Sequence, residues 1–200
     1  MFFSKPKGVF DRLIVGLGNI GAKYDGTRHN VGFACIDELE KKYQFKPYKE
    51  KFRALITECE IKGERCLIAK PTTFMNLSGE SVSEIVKFYK IPMQKVIVFS
   101  DDIDLDAGRL RIRPSGSCGG HNGLRNIIDS CQSDAFVRIR VGIGKKPHPD
   151  YDLKDWVLSC YKGEDAERIK AAISRAADAV SVIISDGCEA AMTEYNRQVQ

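Results

Sequence analysis

The residues best equipped for chemistry are His29, within the stretch Thr27-Arg28-His29-Asn30 that closes a glycine-studded loop, and the acids of Ser100-Asp101-Asp102-Ile103-Asp104. An unperturbed imidazole titrates near ~6.5 and takes a proton from water at neutral pH when a carboxylate on its other nitrogen fixes the tautomer. Asp101, at the tip of the apolar run Val96 to Ser100, is the best-placed carboxylate. Strand alternation sends Asp102 to the opposite face, and the bland alternative for both Asp101 and Asp104 is a turn-forming aspartate. Asn19, Asn76 and Asn122 sit in nearby loops, each with a side-chain donor and acceptor suited to gripping a neutral amide or ester. For any one of them alone, turn or cap chemistry is the plainer account.

Other chemistries are poorly served. There is no Gly-x-Ser-x-Gly elbow and no His-Glu-x-x-His pair. Cys118, His121 and Asn122 invite a cysteine-hydrolase reading, but the glycines between them favour a mobile loop that would hold a nucleophile badly. Gly16-Leu17-Gly18-Asn19-Ile20-Gly21 satisfies the dinucleotide fingerprint, which works only when its third glycine opens a helix. Here the chain continues Ala-Lys-Tyr-Asp-Gly-Thr, and Asp37, Glu38 and Glu40 lie within a helix instead of at the end of a second strand. A base-activated water is the most economical mechanism. Arg109, Arg111 and Arg113 alternate along one strand, with Arg138, Arg140, Lys145 and Lys146 further on. They make either a solvated edge that resists aggregation or a phosphate clamp, and composition alone does not choose.

The elements that must position these groups can be read from periodicity. Arg12 to Leu17 reads as a buried strand, and Asn30 to Tyr43 as a helix with Val31, Ala34, Cys35, Leu39 and Tyr43 on one stripe. Phe52 to Ile61 and Arg65 to Lys70 flank Lys62-Gly63-Glu64 as a hairpin. Leu77 to Lys90 is helical and ends before Pro92, Val96 to Ser100 is a strand covered on both faces, and Arg109 to Arg113 alternates. The Gly/Ser-rich loop 115–120 leads into a helix from Asn122 to Cys131, then a strand from Val137 to Ile143. A long amphipathic helix starts at Glu164, Asp186-Gly187 stops it, and a last short helix comes after. The order predicts a single-domain three-layer α/β sandwich, with a mixed, mostly parallel twisted sheet between helices. Ligands in such sheets sit beyond the carboxyl ends of the strands, where several polar loops fall.

Two hundred residues suit one domain, here 12–200 with residues 1–11 as a short extension lacking a secretory apolar stretch. At 43% hydrophobic and 29% charged the chain is an ordinary globular one, and no apolar run nears the ~20 residues of a membrane span. Seven cysteines with no Cys-x-x-Cys argue against a disulfide framework or zinc knuckle and for a reducing, cytoplasmic setting. A net charge of +4 permits an anionic partner without demanding one.

The strings GLGN-IGAKYDGTRHN-VG, KPTTFMNLSGESV, FSDDIDLDAGRLRIR, GGHNGLRNI and VRIRVGIG stand in the order and spacing of bacterial-type peptidyl-tRNA hydrolases. From about Arg12 to the final helices the chain resembles that family. The resemblance implies that His29 activates water against the ester joining a peptide to the tRNA 3′ ribose, that Asp101 holds the imidazole, and that Asn19 positions the substrate. It implies that Tyr24, Phe74, Asn76 and Asn122 line the groove for the peptidyl-adenosine end, with Met75 bordering it. Arg111, Arg113 and Arg140 match positions that grip acceptor-stem phosphates, and loop 115–120 resembles the family's mobile gate. A monomer with no metal or organic cofactor, acting on peptidyl-tRNA without an obligate protein partner, is implied as well. Ile20 departs from a frequent proline and Cys118 from a frequent histidine; neither removes a catalytic group. The nearest rival is an RNA-binding relative of the same fold that does not hydrolyse.

Overall fold

Apolar residues spaced by two and by three or four build a seven-stranded sheet with helices on both faces, in a computed structural model that describes residues 9–197. In chain order the elements are β1 (Arg12–Gly16), α1 (Val31–Lys42), β2 (Lys49–Lys51), β3 (Ala54–Ile61), β4 (Glu64–Pro71), α2 (Ser78–Tyr89) and β5 (Val96–Asp102). They continue with β6 (Leu110–Arg113), α3 (Asn122–Cys131), β7 (Val137–Gly142), α4 (Leu153–Val157), α5 (Glu164–Ser185) and α6 (Cys188–Tyr195). The sheet order is β2-β3-β4-β1-β5-β7-β6. β4, β1, β5 and β7 are parallel, while β3 and β6 run against their neighbours near the two edges.

Alternation divides the core in two. Ile14, Ile97, Phe99 and Ile139 face α1, α5 and α6, whereas Leu13, Val15, Val96 and Val98 face α2 and α3. Both sides of the central strands are therefore dry, as their near-continuous apolar sequences require. α1 lies unusually close to β1. A Cβ on Gly16 would stand 2.4 Å from the Gly32 carbonyl oxygen, and one on Gly32 would stand 2.4 Å from that of Leu17. A Cβ on Gly18 would meet the Phe33 ring at 2.7 Å. The fingerprint glycines thus serve strand–helix contact, and Gly21 leads only into a single 3-10 turn, Ala22–Tyr24, where a dinucleotide site would need a helix N-terminus.

The structure differs from the sequence reading at a few points. Phe52 and Arg53, expected to begin a strand, instead form a turn at positive φ (56° and 51°) that joins β3 to the exposed strand β2. Arg109 precedes β6, so two arginines rather than three project from that strand. Helix α4 had no periodic signal. Residues 1–8 of the expected extension lie outside the described residues. Of the remainder, Phe10 packs edge-on against Tyr89, with ring centroids 5.0 Å apart. No helix among the described residues is long and apolar enough to cross a membrane.

Candidate active site

The carboxyl ends of β1 and β5 open onto a cleft of about 440 Å³, lined among others by Asn19, Tyr24, His29, Phe74, Met75, Asn76, Asp101, His121, Asn122 and Arg140. Each comes from a connection or a strand end rather than an element interior, Arg140 excepted. His29 is the middle residue of a 3-10 turn, Arg28–Asn30, that feeds α1, and Met75–Leu77 is a similar turn feeding α2. Such tight turns deliver side chains over the sheet edge while the helix behind stays packed.

Asp101 is the pivot. Its Oδ1 lies 2.7 Å from His29 Nδ1 and 2.9 Å from His121 Nε2. The second imidazole was not anticipated. His121 is the N-cap of α3, and its Nδ1 accepts from the backbone N–H groups of Gly123 and Leu124 at 3.1 and 3.2 Å. Those two donors leave the His121 proton on Nε2, aimed at Asp101. The cysteine-hydrolase pairing is therefore closed off, because both His121 nitrogens are engaged elsewhere. His29, His121 and Asp101 present their atoms within 4.8 Å of one another, as metal ligands would. However, ligands ~2.1 Å from a tetrahedral ion stand roughly 3.4 Å apart, and the separations from Asp101 are those of hydrogen bonds.

Electrostatics follow from this contact. Burial alone would lower the His29 pKa; the Asp101 charge and hydrogen bond outweigh it and hold the imidazole above its ordinary 6.5. Burial would raise the Asp101 carboxyl, yet the two histidines hold it well below the usual carboxylate range. The 3% exposed Asp101 side chain is thus anionic at neutral pH, and His29 Nε2 is left to face the cleft.

Asn19 is held from both ends. The Asn30 side chain accepts from the Asn19 N–H at 2.8 Å and donates to its carbonyl at 2.9 Å. Asn19 Oδ1 accepts from the Met75 N–H at 2.9 Å, so its amide NH2 is the end free for a ligand. Asn30 thereby acts on the site through Asn19, a role that sequence reasoning missed. Phe74 is 56% exposed at the rim, whereas Met75 is buried and contributes its main chain to Asn19.

The basic residues divide. Register places Arg111 opposite Arg140 and Arg113 opposite Arg138, so the four share one sheet face. Arg138 is buried and unavailable to an external phosphate: it donates to the carbonyls of Gly116, Ser117 and Asp134 and secures loop 115–120. Arg140 lines the cleft, 3.2 Å from Asp102 Oδ2 and 2.8 Å from the Ser117 carbonyl. Asp102 turns away from His29, as alternation requires, and its Oδ1 accepts from the Asp104 N–H. Arg111 is half-buried and Arg113 exposed on β6, outside the cleft itself. Leu153, Lys154, Val157 and Leu158, on and just after α4, line the cleft as well.

Fold and site together define an open α/β protein with an imidazole–carboxylate–imidazole cluster at the carboxyl edge of its sheet. The family model described as peptidyl-tRNA hydrolase matches residues 13–200. Peptidyl-tRNA hydrolase of Thermoanaerobacter sp. (strain X514) is 50% identical over 184 residues, 92% of this chain and 98% of that one. The enzyme of Clostridium botulinum (strain Eklund 17B / Type B) is 47% identical, over 92% and 95%. The crystal structure of peptidyl-tRNA hydrolase from Acinetobacter baumannii superposes with a TM-score of 0.87 at 32% identity, covering 97% of each chain. This chain belongs to the peptidyl-tRNA hydrolase family.

Proposed function

We propose that this protein hydrolyses the ester between a peptidyl, or N-blocked aminoacyl, group and the 3′-terminal ribose of tRNA, returning the tRNA for reuse. The carrying observation is the 2.7 Å contact between His29 Nδ1 and a buried carboxylate, with Nε2 turned to the cleft. His29 Nε2 removes a proton from water as the water oxygen attacks the ester carbonyl, and Asp101 stabilises the imidazolium that forms. The Asn19 amide NH2, fixed by Met75 and Asn30, donates to the acyl group, while Asn76 and Asn122 offer further polar contacts. Tyr24, Phe74 and Met75 give the peptidyl-adenosine end its apolar surface. Collapse of the tetrahedral intermediate expels the ribose oxygen, to which the imidazolium returns the proton. An ester has a better leaving group than an amide, so one base with oriented donors is sufficient.

No protein nucleophile takes part in this scheme. Single-turnover kinetics are therefore expected to release tRNA and peptide together; a burst of tRNA ahead of the peptide would overturn direct water attack.

Arg111, Arg113 and Arg140 hold acceptor-stem phosphates. For Arg140 this means exchanging the Ser117 carbonyl and Asp102 for the ligand. Arg113→Gln is expected to raise KM several-fold at low salt with kcat little changed, and to reduce the slope of log affinity against log salt by about 0.9. An identical slope in the variant removes Arg113 from the clamp. The seven cysteines, all within the described residues, are free thiols, which supports action in the reducing cytoplasm, and we read the active species as a monomer.

A further inference from the structure

The residue before the proposed base is a buried cation with no carboxylate at ion-pair distance among the described residues. Arg28 donates from Nη1 to the Ile143 carbonyl at 2.9 Å and from Nε to Ser159 Oγ at 3.1 Å. Its guanidinium carbon stands 3.7 Å from the centre of the Trp156 ring and 4.8 Å from that of Tyr161. The backbone is gripped as well. Arg28 N–H donates to the Ser159 carbonyl at 2.9 Å, Tyr161 donates from its hydroxyl to the Arg28 carbonyl at 3.2 Å, and Thr27 bridges to Cys160. Trp156 is held in turn by the Gly144 carbonyl, which accepts from its indole N–H at 3.0 Å.

A guanidinium enclosed by π faces, a carbonyl and a hydroxyl, with the charge of Asp165 acting on it only from beyond ion-pair distance, is an expensive thing to bury, and simple packing would be served by an apolar side chain. What the arrangement achieves is mechanical. It fastens the three-residue turn carrying His29 to the end of β7, to α4 and to the strand-like return after it. Leu153, Lys154, Val157 and Leu158 of that same segment line the cleft. We infer that Arg28 is a positioning residue: clamped between Trp156 and Tyr161, it sets the His29 imidazole against Asp101 and ties that register to the α4 wall. This rests on His29 being the base, and extends it to how the base is held.

The test uses Arg28→Lys, Trp156→Phe and Trp156→Leu in the full chain, with steady-state kinetics and an NMR titration of the His29 ring. Lysine keeps the charge but neither forks nor stacks, so Arg28→Lys is expected to lower kcat about 10- to 100-fold with KM within about threefold. The His29 midpoint should fall toward the ordinary ~6.5 as contact with Asp101 loosens. Trp156→Phe keeps a π face and should lose less than Trp156→Leu on both readouts. An unchanged His29 midpoint in Arg28→Lys overturns the inference, whatever happens to the rate. Should that variant not fold, equal effects of phenylalanine and leucine at 156 overturn it. The titration needs no turnover, so it stands apart from failure of the base assignment, which His29→Ala alone decides.

Discussion

His29→Ala is expected to lower kcat for deacylation of N-blocked aminoacyl-tRNA by about 10²–10⁴-fold, the range that a positioned general base supplies. The fold should survive. The turn remains fastened through Arg28, and Asp101 keeps its second partner, because His121 still donates to the same carboxylate oxygen at 2.9 Å. The loss in stability is then about one charge-assisted hydrogen bond, roughly 1.5–3 kcal/mol, visible as a lowered Tm with an unchanged circular dichroism spectrum. Affinity for tRNA should stay near wild type, since the arginines proposed to hold the acceptor-stem phosphates lie on β6 and β7 and Arg140 bonds to Asp102 and Ser117 rather than to the imidazole. That separation of rate from binding also discriminates against the rival of an RNA-binding relative. Tight binding by the wild type with no release of the acyl group would favour the rival, and a variant rate within a few-fold of wild type would refute the base assignment.

The pair at the centre of the site was legible because it depends on short-range rules. Val96 to Ser100 has to be a buried strand, and alternation then aims Asp101 and Asp102 to opposite sides. The loop after β1 has to return over the same edge before α1 begins, bringing His29 there. His121 was not legible, because it occupies a position normally filled by Ser, Thr, Asp or Asn, and an imidazole cap has no signature in one sequence. Strand β2, Lys49-Glu50-Lys51, is exposed at every residue, and its turn uses Phe52 and Arg53 where Asn-Gly would have signalled a hairpin. Helix α4, at five residues, is too short for a 3.6-residue period to register. The arginines illustrate a different limit. Their shared face followed from a period of two, but Arg138 disappears beneath loop 115–120 while Arg140 stays at the cleft. Only tertiary placement distinguishes them. The glycine fingerprint was rejected for the helix it lacks, yet its actual use, letting α1 abut β1 through Gly16 and Gly32, requires coordinates.

Asp101→Asn should be as damaging as loss of the base, for a reason that hydrogen-bond counting supplies. In the wild type, His29 Nδ1 and His121 Nε2 share one anionic oxygen as donors. An asparagine has one acceptor end and one donor end. His121 must remain a donor at Nε2, because its Nδ1 is committed to the Gly123 and Leu124 amides, so it takes the carbonyl end. His29 Nδ1 is left facing the NH2 group. It becomes an acceptor and its proton moves to Nε2, the atom that should receive a proton from water. We expect kcat to fall about 10²–10⁴-fold at its plateau from this inverted tautomer. The pH profile should move too. A base acts when neutral, so wild-type kcat/KM should rise with pH through a midpoint above 6.5, because the Asp101 charge and hydrogen bond together outweigh burial at His29. Without that charge burial is unopposed, and the variant's midpoint should fall below 6.5. Stability gives an independent reading. The depressed Asp101 pKa contributes stability present above its unfolded ~3.9 and lost as pH falls through the folded value. The raised His29 pKa contributes stability present below ~6.5 and lost as pH rises through its folded value. The wild type's advantage in Tm over Asp101→Asn should therefore be greatest between about 4 and 6.5 and shrink on the alkaline side, where His29 is neutral. A constant difference from pH 4 to 9, or an unshifted kinetic midpoint, would mean that the Asp101 charge does not set the His29 proton affinity.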